Sequence, residues 1–167
     1  VVDGLTFLNV SSSVNKTAAA LNVIASKNFT MLNSSFKQTR LPRLLKFDVD
    51  KVTIDRIELD NVVVNELMIT LRAIGTQFAL SNASIVECKL ATFGALFDLT
   101  VREDVQLNNI TIRGTQTGNY NRALDIFVAE DIVTTLNIDR LRLFGNAAVR
   151  VTRAVGVQSK SIDLTMN

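Results

Sequence analysis

The sequence predicts an all-β chain, wound as a solenoid of about six coils with three short strands per coil. Residues 1–167 read as a single such segment. Two observations predict this. The stretch FDLTVREDVQLNNITI (97–112) holds three alternating apolar runs, Phe97/Leu99/Val101, Val105/Leu107 and Ile110/Ile112, split by short polar breaks. Residues two apart share one face of a strand, and none of these runs is long enough to fold alone. The second observation is that the pattern recurs along the chain.

The clearest recurring unit is an apolar–x–apolar pair, taken as the third strand of each coil. It is read at Leu5/Phe7, Phe29/Met31, Ile57/Leu59, Cys88/Leu90, Ile110/Ile112, Leu141/Leu143 and Ile162/Leu164. A two-residue bend precedes it, as Asp3-Gly4, Asp55-Arg56, Asn108-Asn109 and Asp139-Arg140. Asn, Asp and Gly tolerate the left-handed backbone such a bend demands. Val86-Glu87 fits that role poorly, and Ser26 interrupts the pattern before Phe29.

Upstream of the bends the second strand is read at Val52/Ile54, Ala83/Ile85, Val105/Leu107, Leu136/Ile138 and Val155/Val157. The first strand is read at Leu21/Val23, Leu45/Phe47/Val49, Ile69/Leu71, Phe97/Leu99/Val101, Leu124/Ile126/Val128 and Val149/Val151. Enrichment in Val, Ile, Leu and Thr suits parallel pairing between successive coils.

These repeated units, seen in VTIDRIELDN (52–61), VQLNNITIRG (105–114) and LNIDRLRLFGN (136–146), resemble the right-handed parallel β-helix of the pectin-lyase-like superfamily. The resemblance implies a fold shared by lyases, hydrolases, adhesins and phage spikes, and so says little about activity. A leucine-rich repeat is the rival, since IDRLRLFGN (138–146) approaches its consensus. It leaves the separate first-strand runs unexplained.

Composition narrows the function classes. Hydrophobic residues make up 47% and aromatic residues 6%, with no Trp and one Tyr, so the core is aliphatic. Net charge is +2, with both signs spread along the chain, which gives no basis for a nucleic-acid partner. No apolar run reaches the ~20 residues of a membrane span. The opening VVDGLTFLNV lacks the segments of a signal peptide, so the expectation is a signal removed or upstream. There is no His, which removes Ser/His and Cys/His hydrolase arrangements and imidazole metal ligands. The single cysteine, Cys88, allows no internal disulfide and reads as a buried, inert thiol.

Six N-x-S/T sequons occur, at Asn9, Asn15, Asn28, Asn33, Asn82 and Asn109. Chance placement of 15 Asn and 26 Ser or Thr gives about two. The excess points to a secreted or cell-surface glycoprotein. Bends also favour Asn and strands favour Thr, so β-helix geometry itself produces part of the excess. Asn9, Asn33 and Asn61 read as one stacked register, able to bridge coils by hydrogen bonds.

The sharpest chemical candidate is acidic. Arg102-Glu103-Asp104 and Ala129-Glu130-Asp131 follow the first strands of adjacent coils. Glu103 over Glu130 and Asp104 over Asp131 would be destabilising unless compensated, and a bound Ca²⁺ takes carboxylate oxygens. The resemblance implies polysaccharide lyases that hold calcium this way and use an arginine as base. Arginines are plentiful here: Arg72, Arg102, Arg113, Arg122, Arg140, Arg142, Arg150 and Arg153. No catalytic residue is assigned, and no cofactor beyond that calcium. Lys37, Arg40, Arg43 and Lys46 form a basic stretch around Pro42 that reads as a solvated loop.

Neither end shows the polar cap a solenoid needs, so the expectation is a segment of a longer solenoid, or one that stacks on neighbouring coils or subunits. The functional expectation is an extracellular structural or adhesive rod that supports a surface assembly or presents loops to partners. The alternative is a calcium-assisted, polysaccharide lyase-like enzyme or a glycan-binding module.

Overall fold

The computed structural model describes residues 1–11, 19–64, 69–90, 95–114, 116–117, 122–128, 135–144 and 148–152. The expectations at Asn15, Glu130, Asp131, Val155/Val157 and Ile162/Leu164 lie outside them. The elements are β1 (Val2–Asp3), β2 (Thr6–Leu8), β3 (Ala19–Lys37), β4 (Arg40–Leu41), β5 (Arg43–Asp60), β6 (Val63–Val64), β7 (Ile69–Val86), β8 (Lys89–Leu90), β9 (Ala95–Arg113), β10 (Gln116–Thr117), β11 (Arg122–Val128), β12 (Thr135–Phe144) and β13 (Ala148–Thr152).

Every pairing between them is parallel. One sheet runs β1-β3-β5-β7-β9-β11-β13, with β2 on β3 and β12 on β9, and a small sheet runs β10-β8-β6-β4. This is an all-β parallel solenoid. From β3 to β9 it makes three complete turns, and the count of about six coils is reached only with the partial layers on either side. Among the described residues there is no helix, and so none long and apolar enough to cross a membrane.

The long elements are not straight. Each carries the three expected strands in succession, bent in the middle, with one side turned inward. First-strand residues stack as Leu21, Leu45, Ile69 and Phe97, and beside them Val23, Phe47, Leu71 and Leu99. Leu45, Phe47, Ile69 and Leu99 are fully buried. Each such side chain contributes about 1.5–3 kcal/mol by leaving water. The first strands sit where the alternation placed them.

Two of the expected third strands are corrected. Phe29/Met31 pairs with Val52/Ile54 and therefore belongs to the second strand. The third strand of that layer is Ser34/Phe36, opposite Ile57/Leu59. Ser34 breaks the apolar pattern yet is buried, because its hydroxyl donates to the Leu32 carbonyl at 2.9 Å. Ala83/Ile85 is likewise a third strand, opposite Ile110/Ile112, and the second strand of its layer is Phe78/Leu80. Leu90 then falls on the small fourth strand opposite Val64, and Cys88 immediately precedes that strand.

Correcting the register aligns the bends. Gly4, Asn33, Arg56, Asn82, Asn109 and Arg140 occupy one column between the second and third strands, and all have positive φ, from 47° to 72°. A second column follows the third strand: Asn9, Gln38, Asn61, Glu87 and Gly114, with φ from 50° to 62°. Asn33 is thus separated from Asn9 and Asn61, contrary to the single register expected.

Candidate functional site

The first bend column carries a side-chain ladder. Asn33 Nδ2 donates to Asp3 Oδ1 at 2.8 Å, Asn82 Nδ2 to Asp55 Oδ1 at 2.8 Å, and Asn109 Nδ2 to Asn82 Oδ1 at 2.9 Å. Arg140 Nη2 reaches Asn108 Oδ1 at 3.4 Å. In all four the donor reaches back to the preceding layer. Asp55 also accepts from Ser81 Oγ at 2.7 Å. The hydrogen bonds from Ser81 and Asn82, with the nearby Arg56 charge, hold its carboxyl below the ordinary 3.8. The flanking Arg56–Asp55 and Arg140–Asp139 pairs, at 3.3 and 3.4 Å, are largely exposed and contribute little.

Three of the sequon asparagines, Asn33, Asn82 and Asn109, are therefore ladder donors through Nδ2, the atom that would carry a glycan. Asn9 is exposed in the second bend column, and Asn28 is exposed on the second strand. Asn15 lies outside the described residues.

The outward side of the second strands forms a hollow of about 420 Å³. Two columns line it. One holds Asn28, Lys51, Gln77 and Asp104; the other, two residues along each strand, holds Thr30, Thr53, Ala79 and Gln106. Ala79 is the short member between longer neighbours, and it makes the surface concave there. In the next layer Asn137 continues the second column opposite Gln106, with its Oδ1 buried and unpartnered.

Of the expected calcium set, Asp104 lines this hollow and accepts from Gln106 Nε2 at 2.7 Å. Its neighbours in the sheet are Gln77 and Thr135. Glu103 is exposed. Glu130 and Asp131 lie outside the described residues. Among the described residues, no three His, Cys, Asp or Glu side chains are grouped to hold a metal ion.

The basic stretch is spread around a corner of the coil. Lys37 pairs with Glu58 at 2.8 Å on the third strand, and that hydrogen bond raises its pKa. Arg40 is exposed on β4, whereas Arg43 and Lys46 lie on β5. Cys88 is fully buried, with Sγ 3.4 Å from the Val86 carbonyl and 3.7 Å from that of Leu59. Burial pushes its thiol up to about 11.

Among the described residues, no layer covers the first one. Leu5 and Phe7 are only half-buried, although Ile57/Leu59 and Ile110/Ile112 in the same columns are at most 2% exposed. Phe7 lies flat on Phe36, ring centroids 5.0 Å apart and 8° from parallel. The other face of that ring has no neighbouring layer among the described residues. Val2, Val10, Leu21 and Val23 are half-buried too, and Val1 and Leu8 are exposed.

No family model, curated protein or solved structure matches this chain.

Proposed function

We propose that the chain is a structural rod segment of a secreted or cell-surface assembly, built to be continued by a further β-layer at its open end. The observation that carries this reading is the half-open first layer. Its inward columns are apolar and in register with buried columns below, and among the described residues β1 and β2 leave one backbone edge unpaired. Such an edge is a template for another strand, and apolar side chains aligned beside it favour coverage over solvation. The sequon excess supports the extracellular setting. The parallel stacking of short strands from successive turns, with one left-handed residue at each bend, supports kinship with the pectin-lyase-like solenoids. The neighbouring layer comes from a solenoid coil or from a second subunit.

Hydrogen–deuterium exchange tests this. In native material the amides of Val2–Leu8 that point away from β3 should be protected to the level of their counterparts in β3, while the isolated 167-residue chain should exchange those amides rapidly. Equal, fast exchange in both samples would overturn the reading. Release of new reducing ends from polysaccharides by the purified chain would replace it with the carbohydrate-active alternative.

A further inference from the structure

We propose that the hollowed side of the second strands is a self-association surface, through which two copies of the chain pair with their rod axes antiparallel. This inference is independent of the open end, because it concerns the flank of the rod.

The residues along the flank follow a fixed order of charge and size. Lys51, Gln77 and Asp104 occupy one column in three successive layers, and Thr53, Ala79 and Gln106 occupy the other. Lys51 and Asp104 are thus two layers apart, about 10 Å at the spacing of paired strands. Lys51 is exposed and forms no ion pair among the described residues. The flank therefore carries a positive end, an amide centre and a negative end.

A two-fold axis running along the strand direction of the middle layer maps this pattern onto its own complement. It reverses the order of the layers and keeps each column facing the same column of the copy. Lys51 then faces Asp104 of the copy, and Asp104 faces its Lys51. Gln77 faces Gln77, where two carboxamides can exchange donor and acceptor. Thr53 faces Gln106, a short side chain against a long one, and Ala79 faces Ala79. Gln106, its amide held on Asp104 at 2.7 Å, packs over the shorter Thr53 of the copy. A two-fold along the rod axis fails, because it sets Lys51 against Thr53 and leaves both charges without partners. Isologous pairing of one patch with itself is the common form of dimer, and opposite charges at its two ends fix the antiparallel orientation.

The test is sedimentation equilibrium on the folded chain and on the variants Lys51→Glu, Asp104→Lys and Ala79→Arg, with circular dichroism as the check on folding. The wild type should dimerise, more weakly as salt is raised. Either charge reversal creates two like-charge contacts and should weaken the dimer on the order of tenfold or more. Ala79→Arg, at the axis, should abolish it. Mixing the two charge-reversed variants should restore pairing, since each then faces its opposite.

A wild type that stays monomeric up to its solubility limit would overturn the proposal, whatever else binds the flank. So would charge-reversed variants that associate as the wild type does, the result expected if copies met only at the open end. Failure of the mixture to pair would overturn the antiparallel arrangement. Should one variant misfold, the salt dependence and Ala79→Arg still decide the outcome.

Discussion

Asn108 and Asn109 are neighbours of the same type, and the structure gives them different work. Asn109 has a φ of 54° and donates to Asn82 at 2.9 Å, whereas Asn108 lies outside the left-handed column and only accepts a 3.4 Å contact from Arg140. Replacing Asn109 by Ala removes one partly exposed hydrogen bond, about 0.5–1.5 kcal/mol. It also forces a Cβ residue without a helpful side chain into the left-handed region, about 1–2 kcal/mol. Asn109→Ala should therefore destabilise by about 1.5–3.5 kcal/mol. Asn108→Ala should cost about 0.5 kcal/mol or less, the usual range for an exposed surface change. The unfolded chains are nearly the same, so the difference belongs to the folded bend. Urea unfolding followed by circular dichroism measures both. Two variants equal within about 0.5 kcal/mol, the scatter expected of such surface substitutions, would refute the assignment of strain and ladder to this column.

Two further outcomes follow from the same geometry. The folded carboxyl of Asp55 ionises below its ordinary 3.8, so its contribution is complete above that value and is lost as the pH falls through the lower folded value. Acid unfolding of Asp55→Asn, followed by fluorescence or circular dichroism, should be shallower than that of the wild type in this range, and identical acid limbs would contradict the role. Cys88, buried with its thiol raised to about 11, should resist a thiol reagent at pH 8 in the native state and react at once in urea. Rapid native labelling would show the fourth strand opening.

The parts of the fold that were legible are those whose side chains alternate without exception. Leu45/Phe47, Ile69/Leu71 and Phe97/Leu99 stack as read. The register failed where a small or polar residue faced inward. Ser34 hides because its hydroxyl is satisfied by its own backbone, and Ala83/Ile85, read as a second strand, packs as the third. Phe29/Met31 and Cys88/Leu90 were stronger signals in the wrong place. The bends at Asp55-Arg56 and Asp139-Arg140 are legible, but not that the Arg of each takes the left-handed geometry, since Arg does not favour that region. The hollow could not be read either. It depends on Ala79 lying between Thr53 and Gln106, a juxtaposition that exists only once two registers are right.

The backward direction of the bend ladder bears on how the rod is made. Asn33, Asn82, Asn109 and Arg140 each reach an acceptor that was synthesised earlier. A chain leaving the ribosome thus meets every ladder acceptor before its donor, and each new layer arrives carrying the group that fastens it to a finished one. Stripping layers from the late end leaves behind carboxylates and carboxamide oxygens that water solvates readily.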